Sequence, residues 1–185
     1  MTLRQDHANY NVEPSSVAMD KDSEYATLGI HQDIFDCGEV LAEDVCEKFL
    51  LHGTTSENAE EIVRWGFDHR TCDRGMYGNG VYFAGAACKS HQYTCDQHRD
   101  AACNCATRRT LIIARVLLGD SFQTPAVRKG KGRPPERGRN RGTFDSVNVM
   151  PGPVHGHQHG HQAHQEFVIF DLHQAYPAFV VWYRP

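Results

Sequence analysis

Residues Gly75 to Tyr93 read GMYGNGVYFAGAACKSHQY, and this stretch decides the fold. Gly75, Gly78 and Gly80 punctuate its first half, where the backbone must turn tightly or let another group approach closely. Val81, Tyr82 and Phe83 then read as a short strand. Residues Ala86 to Tyr93 read as the start of a helix, with small residues that allow tight packing on that strand. The spacing lets Tyr82, Ser90 and Tyr93 converge on one pocket. Two tyrosines and a hydroxyl suit a flat ring that carries an amide. The same tyrosines also fit an ordinary half-buried aromatic pair.

Outward from this stretch, Phe49-Leu50-Leu51 is a brief apolar run that predicts a strand ending at His52. Ser56 is placed to cap a following helix, with Glu57, Glu60 and Glu61 near its positive end. Ala59, Ile62 and Val63 give that helix an apolar face, and Gly66 stops it. Leu111 to Leu118 is nearly continuous in apolar character, as in a buried sheet interior. Residues 124–146 are rich in Pro, Gly and Arg and read as a long loop. A short strand is expected at Val147 to Met150, then a second loop dominated by His and Gly. Glu166 to Phe170 and Phe179 to Tyr183 read as the last two strands. Many short strands, few helices and long inserted loops predict an α+β domain with two packed, mainly antiparallel sheets and flanking helices.

The chain has 185 residues, 40% of them hydrophobic, which fits one domain with a substantial core. We expect residues 1–30 to be a polar arm or linker and residues 31–185 to form the domain. No apolar run approaches the ~20 residues of a membrane helix. The N-terminus lacks an apolar signal-peptide core. An intracellular protein, without a membrane partner, is the expectation. The formal net charge of −4 gives no global attraction to nucleic acid, and nucleic-acid binding is not expected. Positive charge is nonetheless gathered at Arg128, Lys129, Lys131, Arg133, Arg137, Arg139 and Arg141. That segment suits either phosphate attraction or a solvated loop.

Seven cysteines, an odd number unevenly spread, argue against a full disulfide framework. In a reducing compartment, close-set Cys and His point to metal. The pattern Cys95-x2-His98-x4-Cys103-x-Cys105 offers four soft or borderline ligands for tetrahedral structural zinc. Its alternative is a loop of reduced thiols. The run of His155, His157, His159, His161 and His164 reads as a low-complexity loop rather than a metal site.

The stretch from Gly75 to Tyr93 closely resembles the NAD-binding signature of the poly(ADP-ribose) polymerase family, the diphtheria-toxin-like ADP-ribosyltransferases. The resemblance continues in the family's order through Leu51-His52-Gly53-Thr54, LIIARVLLGD at Leu111 to Asp120, Glu166 to Phe170, and Gln174-Ala175-Tyr176-Pro177. It spans roughly Lys48 to Tyr183. Within the family the chain looks most like the tankyrases, which carry a similar zinc-binding insertion after the central helix. Here the last cysteine pair has one intervening residue rather than the tankyrases' two.

The resemblance implies the ADP-ribosyltransferase fold, NAD as substrate and protein acceptors, with automodification among them. It implies a catalytic set of His52, Tyr82 and Glu166. His52 would bind the adenine ribose with Thr54 beside it. Gly53 and Ser90 would hold the nicotinamide carboxamide, and Tyr82 and Tyr93 would flank the ring. Glu166 would take a ribose hydroxyl and polarise the acceptor. The segment Phe67 to Arg74 would be the loop that covers NAD. A glutamate at position 166 permits polymer elongation without proving it, since some members that keep it add one unit. A catalytically silent NAD or ADP-ribose-binding module is the alternative function.

Overall fold

The computed structural model describes residues 40–73, 75–94, 108–138, 141–153 and 162–183. The expected N-terminal arm and most of the His-rich run lie outside them.

The strands are β1 (Glu47–Thr54), β2 (Val81–Ala84), β3 (Arg109–Leu117), β4 (Ser121–Thr124), β5 (Ser146–Val149), β6 (Gly152–Pro153), β7 (Gln162–Ala163), β8 (Glu166–Ile169) and β9 (Ala175–Tyr183). Two α-helices stand among the described residues, α1 (Ser56–Trp65) and α2 (Ala87–His91). The expectation of two packed sheets is corrected. Among the described residues, seven strands form one sheet in the order β4-β5-β8-β2-β1-β3-β9, and β6 and β7 form a separate ribbon. All neighbours in the large sheet are antiparallel except the β4–β5 pair.

The sheet is pinched in the middle. β1 pairs with β3 from Glu47↔Leu117 to Thr54↔Thr110, but with β2 only at Leu51↔Ala84. Two well-laddered halves thus meet at a one-pair seam.

Alternation along the strands divides the core. Leu50, Val81, Phe83, Ile112, Ala114, Val116, Phe167 and Ile169 share one cluster with Ala59 of α1. On the opposite face, Phe49, Leu51 and Ile113 pack with Ala87 of α2. Across the seam on that face, Val147, Val149, Val168 and Phe170 pack with Tyr77, Met76 and Tyr82. The central cluster bridges the halves on the α1 side. On the other side there are two clusters, with the seam between them.

Local chemistry explains most boundaries. Thr55, not Ser56, caps α1, its Oγ1 accepting from the Asn58 N–H at 3.2 Å. Ser56 instead pairs its hydroxyl with Thr110 at 2.9 Å, tying the helix to β3. Ala59 and Ile62 face the core, whereas Val63 is exposed, so the apolar stripe of α1 is narrower than expected. β9 starts at Ala175, earlier than expected. It pairs with β3 through an irregularity at Ile113/Ala114, where Pro177 sits opposite Ala114. Proline cannot donate to a ladder, so it belongs on such an edge strand. Just before β9, Asp171 and Gln174 form a reciprocal capping box around a 3₁₀ turn, Leu172–Gln174. The basic loop is partly pinned: Arg137 pairs with Asp120 and Asp145 at 3.3 and 2.9 Å.

Candidate functional site

His52, Gly53 and Thr54 form the C-terminal end of β1, just past its single contact with β2. The His52 Nδ1 lies 2.8 Å from the Tyr82 carbonyl oxygen. A carbonyl only accepts, so Nδ1 carries the proton. Burial lowers the pKa of His52, the bond to Tyr82 working the other way, so the ring is kept neutral. Its Nε2 is then an acceptor suited to a sugar hydroxyl. Phe67 and Phe83 hold the imidazole, with ring centroids 5.2 and 5.6 Å away.

Gly53 is required by close packing. A Cβ there would lie 1.7 Å from the Ser90 carbonyl oxygen, so no other side chain fits against α2. The Ser90 hydroxyl donates to the Leu51 carbonyl at 2.9 Å, and Ser90 is buried. That bond joins α2 to β1 directly beside Gly53. It leaves the Ser90 oxygen lone pairs to receive an amide donor.

Tyr82 is held by both sides of its hydroxyl. It accepts from the Tyr77 N–H at 2.7 Å and donates to the Gly78 carbonyl at 2.9 Å. A Cβ on Gly75 would lie 2.3 Å from this hydroxyl, so the turn must begin with glycine to let the tyrosine under it. Burial raises the Tyr82 pKa and outweighs the Tyr77 backbone bond, which lowers it, so the phenol stays protonated.

Glu166 opens β8, is buried, and sits opposite Ala84 in the ladder with β2. Its Oε2 lies 3.5 Å from the Lys89 Nζ, both side chains being less than 15% exposed (14% and 8%). Burial pushes the Glu166 carboxyl up, and Lys89 pulls it partly back. Burial works against the Lys89 ammonium, but Glu166, then Tyr93, more than offset it, and its pKa is raised. Lys89 also donates to the Tyr93 hydroxyl at 3.0 Å. Tyr93 itself is half exposed, at 51%.

The structure therefore brings Glu166 and Tyr93 together through Lys89, a residue the sequence reading missed. One signal was present: Lys89 and Tyr93 are four apart, on one helical face. Glu166 shares its face of β8 with Val168, on the side opposite α1. His52 shares a face of β1 with Leu50, the α1 side, and reaches Tyr82 at the strand end. The two ends of the expected set thus lie on either side of the seam, with Tyr82 between them.

Cys95, His98, Cys103 and Cys105 lie outside the described residues, as do His155, His157, His159 and His161. Among the described residues, no group of three or more His, Cys, Asp or Glu is set to hold a metal. In the loop from Phe67, Arg70 chelates Asp68 at 2.8 Å, and its hydrogen bonds lower the Asp68 pKa to about 2.

Exposed Tyr93 carries the first prediction. Tyr93→Ala should weaken binding of nicotinamide-like inhibitors roughly 10-fold, the scale of one lost aromatic stack. An unchanged dissociation constant by calorimetry would place Tyr93 outside the ring site.

The site therefore combines a pinched mixed sheet, a buried Lys89–Glu166 pair beside its seam, and a strand end packed tightly on α2 at Gly53. Residues 19–185 match the family model described as the poly(ADP-ribose) polymerase catalytic domain, and the chain belongs to that family. It is 33% identical over 147 residues to a mouse protein, "Protein mono-ADP-ribosyltransferase PARP12", covering 76% of this chain and 17% of that relative. Human PARP12 matches at 33% over 143 residues, covering 75% and 17%. Human "Protein mono-ADP-ribosyltransferase PARP11" is 29% identical over 154 residues, covering 73% and 40%. The chain thus spans under a fifth of the PARP12 relatives it matches. The expected likeness to the tankyrases is corrected: these relatives bear mono-ADP-ribosyltransferase names.

Proposed function

We propose that this chain is the catalytic domain of an NAD-dependent protein ADP-ribosyltransferase. The observation that supports it most is Glu166, a buried carboxylate kept near a cation at the mouth of the β1–β2 seam. NAD supplies a ribosyl carbon already bonded to a cationic leaving nitrogen. No general acid is needed to expel nicotinamide. The protein must instead hold the ring, orient the sugar and place negative charge beside the positive charge that develops on it.

The residues present fit that ligand. His52 accepts through Nε2 from a ribose hydroxyl, with Thr54 beside it. Gly53 offers backbone groups to the carboxamide, and Ser90 offers its oxygen. Tyr82 and Tyr93 flank the ring. Glu166 accepts from the second ribose and from the acceptor nucleophile, whose proton leaves as the new bond to the ribosyl carbon forms. The overall change is NAD plus acceptor–H to ADP-ribosyl–acceptor, nicotinamide and a proton.

The relatives' names favour a single ADP-ribose as product. Glu166 permits elongation without deciding it, since members of the family that carry a glutamate there include both polymer-forming enzymes and enzymes that add one unit. Incubation of the purified protein with labelled NAD and a protein acceptor tests the proposal, and product size on a gel separates the two outcomes. Automodification or labelled acceptor is expected. Retention of NAD without transfer would make the chain a binding module instead.

Structural zinc at Cys95, His98, Cys103 and Cys105 belongs to this proposal, supported by ligand type and spacing. The wild type should hold about one equivalent of zinc after mild chelation, as one tetrahedral site demands. Cys103→Ser/Cys105→Ser should lose it and melt at lower temperature, because structural metal binding is coupled to folding. Equal zinc in both proteins would leave a free-thiol loop.

A further inference from the structure

Tyr77 is 2% exposed, and its hydroxyl has no hydrogen-bond partner among the described residues. A buried phenol without a partner is uncommon, because the lost hydration is not replaced. Its surroundings place the residue on one face of the sheet. Tyr77 packs against Val147, Val149 and Val168, on the face of the β5–β8 ladder opposite α1. In that ladder Val149 stands opposite Glu166, and Val147 opposite Val168. Residues directly opposite in antiparallel strands share a face. Tyr77 therefore lies across the same face that carries Glu166. The ring is fixed at its backbone end by the bond from its N–H to the Tyr82 hydroxyl at 2.7 Å. Burial pushes the phenol up to about 12, and the Glu166 charge adds to this, so the O–H stays protonated. Among the described residues, Glu166 has Lys89 as ion-pair partner on Oε2 and no partner on its other oxygen.

A buried, protonated donor without an acceptor thus lies on the same sheet face as a carboxylate with acceptor capacity to spare, close enough for the Glu166 charge to act on it. A sugar hydroxyl satisfies both, giving its proton to the carboxylate while its oxygen accepts from the phenol. We infer that the Tyr77 hydroxyl is a second contact for the ribose hydroxyl held by Glu166. Tyr77 is then part of how the site recognises the sugar rather than the nicotinamide ring. This rests on the ADP-ribosyltransferase reading above.

The test is Tyr77→Phe, which removes one oxygen and keeps the packing. Three quantities are compared with wild type: the KM for NAD in nicotinamide release, the inhibition constant of free nicotinamide, and the melting temperature. A lost neutral hydrogen bond predicts a KM raised about 3- to 10-fold. Nicotinamide carries no ribose, so its inhibition constant should stay within about 2-fold, the scatter of a lost minor contact. The melting temperature should hold or rise by about 2–4 °C, since an unpaired buried polar atom is removed. A KM that does not move shows that the hydroxyl meets no substrate and overturns the inference. A parallel weakening of NAD and nicotinamide, or a fall in melting temperature, shows a distorted turn and overturns it too. Wild-type protein that neither binds NAD nor releases nicotinamide overturns the parent reading, a result visible before any variant is made.

Discussion

Replacing Glu166 with glutamine should lower ADP-ribose transfer by about 10²- to 10³-fold, the usual cost of removing one preorganised electrostatic group from a site of this kind. The KM for NAD should change by no more than about 3-fold, because a glutamine carbonyl still accepts one hydrogen bond. The split follows from where the charge develops. A carboxylate beside a ribosyl carbon stabilises the separating state far more than the bound ground state. Burial strengthens this, since little water surrounds Glu166 to screen it. Glutamine has nearly the same volume and can still accept a hydrogen bond from Lys89, but it leaves that ammonium without its anion, so the variant should fold with a lowered melting temperature. Single-turnover transfer and NAD binding by calorimetry would check both halves. Equal losses in binding and transfer would reduce Glu166 to a substrate anchor.

Much of the local structure around these residues could be read before the structure, for a local reason. The stretch from Gly75 to Tyr93 contains a turn, a strand and a helix start, all specified by neighbours in sequence. The strand before His52 and the buried run from Leu111 are also local apolar signals. What escaped were pairings between distant segments. The joining of two half-sheets at Leu51↔Ala84 rests on one contact between strands 33 positions apart (84 − 51). The parallel β4–β5 pair and the β9 irregularity are likewise decided by tertiary packing.

Lys89 escaped for the same reason. A lysine on a short helix reads as a solvated side chain. Its burial is imposed by β8, which delivers Glu166 from far along the chain. Ser56 illustrates a smaller miss. The Ser56 hydroxyl is taken up by Thr110, and Thr55, which the sequence reading passed over, caps the helix. The zinc pattern stands outside the described residues, so its reading still rests on spacing alone.

Lys89→Met should produce the second large effect, on stability and on pH dependence together. Removing one partner of a buried ion pair strands the other, at a cost of about 3–5 kcal/mol. Here Glu166 would keep its burial and lose its cation. Both push the carboxyl in one direction, because desolvation already raises its pKa and Lys89 is what opposes that. With a folded pKa raised above the unfolded value, ionisation opposes folding. The destabilisation of the variant should therefore be largest at neutral and alkaline pH. It should shrink as pH falls towards the ordinary carboxylate range, where Glu166 is protonated in both states. Activity depends on the ionised form, so the acid limb of the pH–rate profile should move to higher pH. Denaturant melts at several pH values, with kcat/KM measured alongside, would show both trends. The double variant Lys89→Met/Glu166→Gln should recover most of the stability and none of the activity, since it removes the stranded charge together with the group that does the chemistry. A single variant equally destabilised at every pH would mean that Lys89 acts through packing, and that its ion pair with Glu166 contributes little.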